Sequence, residues 1–217
     1  MHPKYSEWLS FVFDRQPTPS GWYFDIEDVD FDVPTSDVAE LVALTFENCG
    51  RDLARYDDRQ VAEGVNYIVN NSCSNVVYAL FDETVGVELR LRAIHAIKTL
   101  YRDCFTPRCA PVLGHSSQPG ANPLTYPCYM LWDIFPFSIW NDRKDGRLFY
   151  ETSIEVMTDA LDSPNPACIE SALHGLGHFI LYWEEAADVV QQYLKRKHHV
   201  LPGLKSYAER ALTGNVQ

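Results

Sequence analysis

Glu170, His174 and His178 are the residues of this chain whose types and spacing best fit chemistry at a metal ion. They lie four residues apart, so a helix would place all three on one face, and two histidines at that spacing can share one ion. No glutamate follows the first histidine, as a zinc-protease helix would require. We therefore expect these side chains to line a polar helix face. A metal-dependent enzyme or metal-binding protein that uses the three residues is the alternative.

A run of acids between residues 25 and 32 suggests a second type of ion site. With Asp28 taken as the start, acids occupy the first, third and fifth places of a calcium-binding loop. The later places fail, because Val33 stands where the turn needs glycine and Ala39 stands where a closing glutamate is needed. The run instead predicts an acidic arm over about residues 20–35, which is either solvated or docks a basic partner.

Aromatic residues are concentrated between residues 126 and 150, where eight occur. Trp132 and Phe135 are at helical spacing, which favours packing in a core. Trp132 and Trp140 are also candidates for exposed anchors at a protein interface. Nucleic-acid stacking would need lysine or arginine between the aromatics, and the few basic residues of this stretch come near its end.

The chain contains neither a glycine-rich phosphate loop nor a nucleophile elbow, since the patterns GxGxxG, GxxxxGK and GxSxG are missing. Nothing in the sequence marks a catalytic nucleophile. We therefore expect no cofactor, and we favour a non-catalytic protein over an enzyme.

The charge balance points to a class of partner. The 217 residues include 18 basic and 30 acidic side chains, a formal net charge of −12, which repels nucleic acid and anionic lipid and attracts a basic protein. No apolar run approaches the roughly 20 residues that cross a bilayer, and residues 1–15 lack a signal-peptide pattern, so we expect neither membrane spanning nor secretion. The six cysteines include no CxxC pair, which indicates a reducing cytoplasm.

Hydrophobic periodicity and capping residues predict a run of helices and no convincing strand. Asn165 followed by Pro166 predicts the start of a helix that crosses Ala172 and His178. Pro136 is expected to kink or break another helix. The other helices are predicted near residues 37–49, 57–70, 73–82, 86–104, 126–140, 146–161, 184–197 and 202–213.

Helical patterning lapses between residues 106 and 127, a segment that includes five prolines. Loops longer than about 12–15 residues in a compact domain are usually either functional or disordered. We treat this Pro-rich insertion as a candidate recognition element that includes His115, and a flexible insertion is the alternative.

One pattern occurs twice at an offset of 79 residues, in ELRLRAIHAIKTLY and in ACIESALHGLGHFI. The order small, large, His, small, large recurs, so that Ala93 matches Ala172 and His95 matches His174. This pattern resembles the HEAT-like (armadillo-type) helical repeats. The resemblance implies an all-α superhelix of about four to five helix pairs, formed as a single domain over residues 1–217.

A superhelix of this kind usually binds its partner on its inner face. We therefore predict a non-catalytic, cytoplasmic protein–protein interaction module that binds a basic protein partner, with an acidic surface contributed largely by residues 25–58. The residues expected on the binding face are Arg92, His95, His115, Trp132, Trp140, Glu170, His174 and His178.

Overall fold

The computed structural model describes residues 2–26, 30–116, 119–196 and 201–216, and in those ranges it consists of helices and turns without a strand. The all-α prediction is confirmed. Within the same ranges, no helix reaches the combination of length and apolar character that a bilayer crossing requires.

The helices are numbered along the chain. They are α1 (Tyr5–Phe13), α2 (Thr35–Glu47), α3 (Cys49–Asp52), α4 (Asp58–Val69), α5 (Val87–His95), α6 (Ile97–Thr99), α7 (Thr106–Arg108), α8 (Thr125–Tyr129), α9 (Leu131–Ile134), α10 (Gly146–Ala160), α11 (Pro166–Phe179), α12 (Glu185–Arg196) and α13 (Pro202–Ala211). A π-helical turn (Leu100–Phe105) joins α6 to α7, and 3-10 helices cover Trp22–Phe24, Val76–Leu80, Gly114–Ser116 and Phe137–Asp142.

Several predicted helices are more broken than the sequence suggested. The helix expected over residues 86–104 consists of α5, α6 and the π-helical turn, and the one expected over residues 73–82 is a 3-10 helix. The segment expected over residues 126–140 breaks before Pro136, as predicted, because a residue that precedes proline is disfavoured in the helical conformation. Phe135 accordingly has φ −81° and ψ 122°.

The start of α11 was predicted correctly. The side chain of Asn165 accepts a hydrogen bond of 3.0 Å from the N–H of Ala167, which caps the helix, and Pro166 occupies its first turn. The Asn165 amide also donates to the carbonyls of Thr106 and Cys109, at 3.1 and 2.8 Å. The cap therefore also fixes the segment in which the Pro-rich insertion begins.

Helix α11 is a central helix of the fold, because it packs against α8, α9, α10, α12 and α13. It is buried on nearly every side, which is typical of a core helix. Gly175 permits this close packing, because a Cβ atom there would lie 2.5 Å from both the Trp132 ring on α9 and the Met157 sulfur on α10.

The N-terminal helices pack around a cluster of aromatic rings. The Trp8 indole N–H on α1 donates to the hydroxyl of Thr45 on α2 at 2.9 Å, and its ring meets that of Phe31 at a centroid distance of 5.4 Å. Helix α2 also packs against α5 and against the 3-10 helix Val76–Leu80. Residues 30–33 and that 3-10 helix line the same groove.

The Pro-rich insertion is held against the helices at its two ends. The Arg108 guanidinium donates to the Asp58 carboxylate at 2.9 Å and to the Tyr56 carbonyl at 2.8 Å. Asn122 donates to the carbonyl of Arg108 at 2.7 Å. Residues 117 and 118, within the insertion, lie outside the described residues.

Candidate functional site

Asp133, His174 and His178 converge where α9 meets α11, and we call them the histidine cluster. The Nε2 atoms of the two histidines lie 3.1 Å apart, and Oδ1 of Asp133 lies 3.1 Å from Nε2 of His178. One ligand atom from each of the three residues lies within 4.8 Å of the others. His174 is buried, whereas 22% of the His178 side chain and 40% of the Asp133 side chain are exposed. The cluster therefore runs from the core to the surface.

Two tyrosines position the His174 ring. The Tyr207 hydroxyl, on α13, lies 2.6 Å from Nδ1 of His174 and donates to the Val216 carbonyl at 3.2 Å. The Tyr129 ring meets the His174 ring at a centroid distance of 4.6 Å, and the two tyrosine hydroxyls lie 3.2 Å apart. Because Tyr207 gives its proton to Val216, it accepts the Nδ1–H of His174, which leaves the Nε2 lone pair facing the cluster.

Burial keeps both imidazoles of the histidine cluster neutral near pH 7. It lowers the pKa of His174 to about 3, and the neighbouring His178 acts in the same direction. Burial also lowers the pKa of His178, while the Asp133 carboxylate opposes that shift. A neutral imidazole offers a free lone pair, so the cluster is chemically able to bind a cation.

Glu170 lies one turn before His174 but does not join the cluster. Its side chain is fully buried, and its carboxylate accepts a hydrogen bond of 2.5 Å from the N–H of Gly114. The same carboxylate pairs with Nδ1 of His115. The metal set expected from the sequence is thus not brought together, because Glu170 binds the Pro-rich insertion and Asp133 takes its place. No spacing pattern points to Asp133, since it reaches the cluster only through the packing of α9 on α11.

The two tryptophans expected on a binding face lie in the core. Trp132 and Trp140 are 0% and 1% exposed. The Trp132 indole N–H donates to the Tyr101 hydroxyl at 3.0 Å, and the Trp140 ring stacks on Phe81 and Phe149. Their expected role is corrected, because buried rings that fill the space between helices cannot contact a partner.

His95 and Arg92 are exposed on α5 and do not belong to the histidine cluster. Arg92 pairs with Glu47 at 2.6 Å, and His95 lies 3.8 Å from a carboxylate oxygen of Glu155. The internal repeat matched His95 with His174, yet His174 is only 3% exposed. The two histidines therefore do not share a binding face.

A groove of about 340 Å³ lies between residues 30–35, α2 and the 3-10 helix Val76–Leu80. We call it the acidic groove. The carboxylates of Asp30 and Asp82 line it, and Tyr78, which is 40% exposed, forms part of its wall. The apolar lining comes from Trp8, Phe31, Val33, Val38, Val76 and Ala79.

The carboxylates of the acidic groove are not neutralised by ion pairs with the described residues. Several acids nearby in sequence do have a basic partner: Asp37 with His2, Glu47 with Arg92, Asp52 with Arg51 and Asp58 with Arg108. Asp82 accepts hydrogen bonds from the hydroxyl and the N–H of Thr84, which lower its pKa and keep it ionised near neutral pH, and the charges of Arg90 and Arg143 add to that shift without an ion-pair contact. The Asp28 calcium pattern falls partly on residues 27–29, which lie outside the described residues.

The histidine cluster and the acidic groove are thus two places, among the described residues, where side chains suited to binding converge. No protein-family model, curated protein or solved structure shows a significant match to the chain. The function is therefore inferred from the residues of these two sites.

Proposed function

We propose that the protein is a non-catalytic interaction module that binds a basic segment of a protein partner in the acidic groove. One observation carries this proposal: apolar side chains and the two acids Asp30 and Asp82 line the same groove, and neither acid has an ion-pair partner among the described residues. A groove of this kind fits an apolar side chain that is flanked by lysine or arginine.

The two parts of the groove have different roles in binding. Burial of an apolar side chain against Phe31 and Val76 supplies most of the affinity, at about 25 cal/mol for each Å² removed from water. The carboxylates orient the basic side chains and speed the encounter. Because charges more than about 8 Å apart are screened at physiological salt, the encounter rate falls as salt is added.

The net charge of −12 favours a protein partner over the other polyelectrolytes. Nucleic acids and anionic lipids are repelled by this field, whereas a basic protein is attracted from a distance. The described residues also lack a helix that could enter a bilayer as a span.

We also propose a HEAT-like superhelix as the scaffold and the cytoplasm as the location. The scaffold is supported by the matched residues Ala93 and Ala172, which are both fully buried, and by the packing of α10 against both α5 and α11. The location is supported by the cysteines, all six of which are free thiols.

Binding of synthetic peptides tests the proposed function. The probes are two fluorescein-labelled peptides of equal length, one with alternating leucine and lysine and one with glutamate in place of each lysine. Fluorescence anisotropy is measured with the wild-type protein and with the Asp30→Asn, Asp82→Asn double variant. The matched control is the Asp30→Asn, Asp188→Asn double variant. It loses the same amount of charge, but Asp188 is an exposed acid on α12.

We expect only the lysine peptide to bind the wild-type protein. Two partly exposed ion pairs are worth about 1–1.4 kcal/mol together, so the double variant should bind about fivefold to tenfold more weakly, and the control should lose only about half of that energy. Tyr78→Ala should also weaken binding, because it removes an exposed part of the groove wall. Equal binding of both peptides, or equal affinity of wild type and double variant, would overturn the proposal.

A further inference from the structure

We propose that Asp133, His174 and His178 form a zinc-binding centre, with Tyr207 as the residue that positions His174. This inference concerns a surface distinct from the acidic groove and does not depend on the proposed function. It rests on the convergence of three ligand atoms and on the hydrogen bonds that orient them.

One cation could bind all three ligand atoms of the histidine cluster, whereas the ring N–H of His178 cannot hydrogen-bond fully to both of its neighbours. Nε2 of His178 faces two atoms at 3.1 Å, Nε2 of His174 and Oδ1 of Asp133. A neutral His178 has at most one N–H at that position, so it can donate fully to only one of these two acceptors. A metal ion between the three atoms would engage all three lone pairs at once.

The distances fit a tetrahedral ion after small side-chain movements. Zinc binds histidine nitrogen and carboxylate oxygen at about 2.0–2.2 Å, so two ligands of a tetrahedral site lie about 3.3–3.6 Å apart. The two separations of 3.1 Å at His178 are close to this value. The remaining separation, between His174 and Asp133, is no more than 4.8 Å. Because 40% of the Asp133 side chain is exposed, it has room to rotate and shorten this separation when an ion binds.

The residues around the ligands provide the support that metal sites need. A metal-binding histidine usually donates its other ring N–H to an oxygen, which fixes its tautomer and its orientation. Tyr207 does this for His174 at 2.6 Å, and Tyr207 is itself held by the Val216 carbonyl and the Tyr129 hydroxyl. A histidine that merely filled the core would not require its Nε2 to face a second histidine that is itself paired with a carboxylate.

The donor set indicates the class of ion. Two imidazole nitrogens and one carboxylate oxygen suit zinc and similar transition metals, whereas calcium and magnesium prefer oxygen ligands throughout. Three protein ligands leave a fourth position for water. Solvent can reach the centre, because His178 and Asp133 are partly exposed.

Titration with zinc chloride tests the centre. The protein is first treated with a chelator and then titrated by calorimetry, in competition with a chromophoric chelator where binding is tight. The variants are His178→Ala and Asp133→Asn, which change partly exposed side chains, and circular dichroism verifies that each is folded. The matched control is His95→Ala, which removes an exposed imidazole from α5.

We expect one zinc ion for each wild-type chain and unchanged affinity in His95→Ala. Tyr207→Phe should weaken binding by about 10–100-fold, because it removes the hydrogen bond that orients the His174 ligand, and His178→Ala should weaken it further. Cobalt bound in place of zinc should give the intense visible absorption bands of a four-coordinate ion. Zinc binding that is equal in wild type, His178→Ala and Asp133→Asn, or no stoichiometric binding by the wild type, would overturn the proposal.

Discussion

The buried carboxylate of Glu170 accepts a hydrogen bond of 2.5 Å from the backbone N–H of Gly114, which joins the central helix α11 to the Pro-rich insertion. His115, the next residue, pairs with the same carboxylate through its ring. A residue expected at a metal or binding face therefore connects two parts of the fold. This explains how a segment with five prolines is held at its middle as well as at its ends.

Loss of this connection should destabilise the protein. Glu170→Ala leaves the N–H of Gly114 and the ring of His115 without their acceptor, and a hydrogen bond to a charged group is worth about 1.5–3 kcal/mol. We expect the free energy of unfolding, measured with urea, to fall by about 2–3 kcal/mol. Glu151→Ala is the control, since Glu151 is exposed on α10. Equal stability of the two variants would show that the connection contributes nothing.

Gly175 should tolerate no side chain, although alanine is the better helix former. A Cβ atom there would lie 2.5 Å from the Trp132 ring and 2.5 Å from the Met157 sulfur. Gly175→Ala therefore forces α9 or α10 outward. We expect a loss of about 1–3 kcal/mol by thermal unfolding. Gly86→Ala is the matched control, because its Cβ would meet nothing within 4 Å and its φ is −53°. This control should change stability by less than about 1 kcal/mol, because alanine is less favourable than glycine at this N-cap but restricts the unfolded chain more.

The limits of sequence reasoning are clearest at α11. The start of the helix was predictable because Asn165 and Pro166 act locally, through the capping hydrogen bond and the fixed φ of proline. The shared face of His174 and His178 was predictable from helical geometry alone. What covers that face depends on α9 and α13, which approach from distant parts of the chain.

The repeat pattern predicted the burial of its alanines but not the different exposure of its two histidines. Ala93 and Ala172 are both fully buried, as expected of small residues at helix contacts. His95 and His174 occupy matching positions in the pattern, yet one is exposed and the other lies in the core. The difference arises because α11 is enclosed by other helices on nearly every side, whereas the corresponding face of α5 meets solvent.

A larger residue at Ala172 should overpack the core. Ala172 has no exposed surface, so Ala172→Leu must displace neighbouring side chains at a cost of about 1–3 kcal/mol. Ala187→Leu, the same change at a partly exposed position on α12, should alter stability by less than about 0.5 kcal/mol. The melting temperatures of the two variants provide the test. An unchanged melting temperature for Ala172→Leu would contradict both the tight packing of α11 and the repeat alignment.

The cysteines should react slowly in the native protein. All six are free and buried, and Cys73, at 9% exposed, is the least enclosed. Burial raises the pKa of Cys49 to about 12 and also raises that of Cys73, so at pH 8 these thiols are protonated and poor nucleophiles. We expect labelling by a thiol-reactive disulfide reagent at pH 8 to be on the order of 100-fold slower in native protein than in denaturant, where all six should react. Cys73 should be the first thiol to react in native protein, so this first step of labelling should be missing in the Cys73→Ser variant. Rapid labelling of any cysteine without denaturant would contradict the buried positions of these residues.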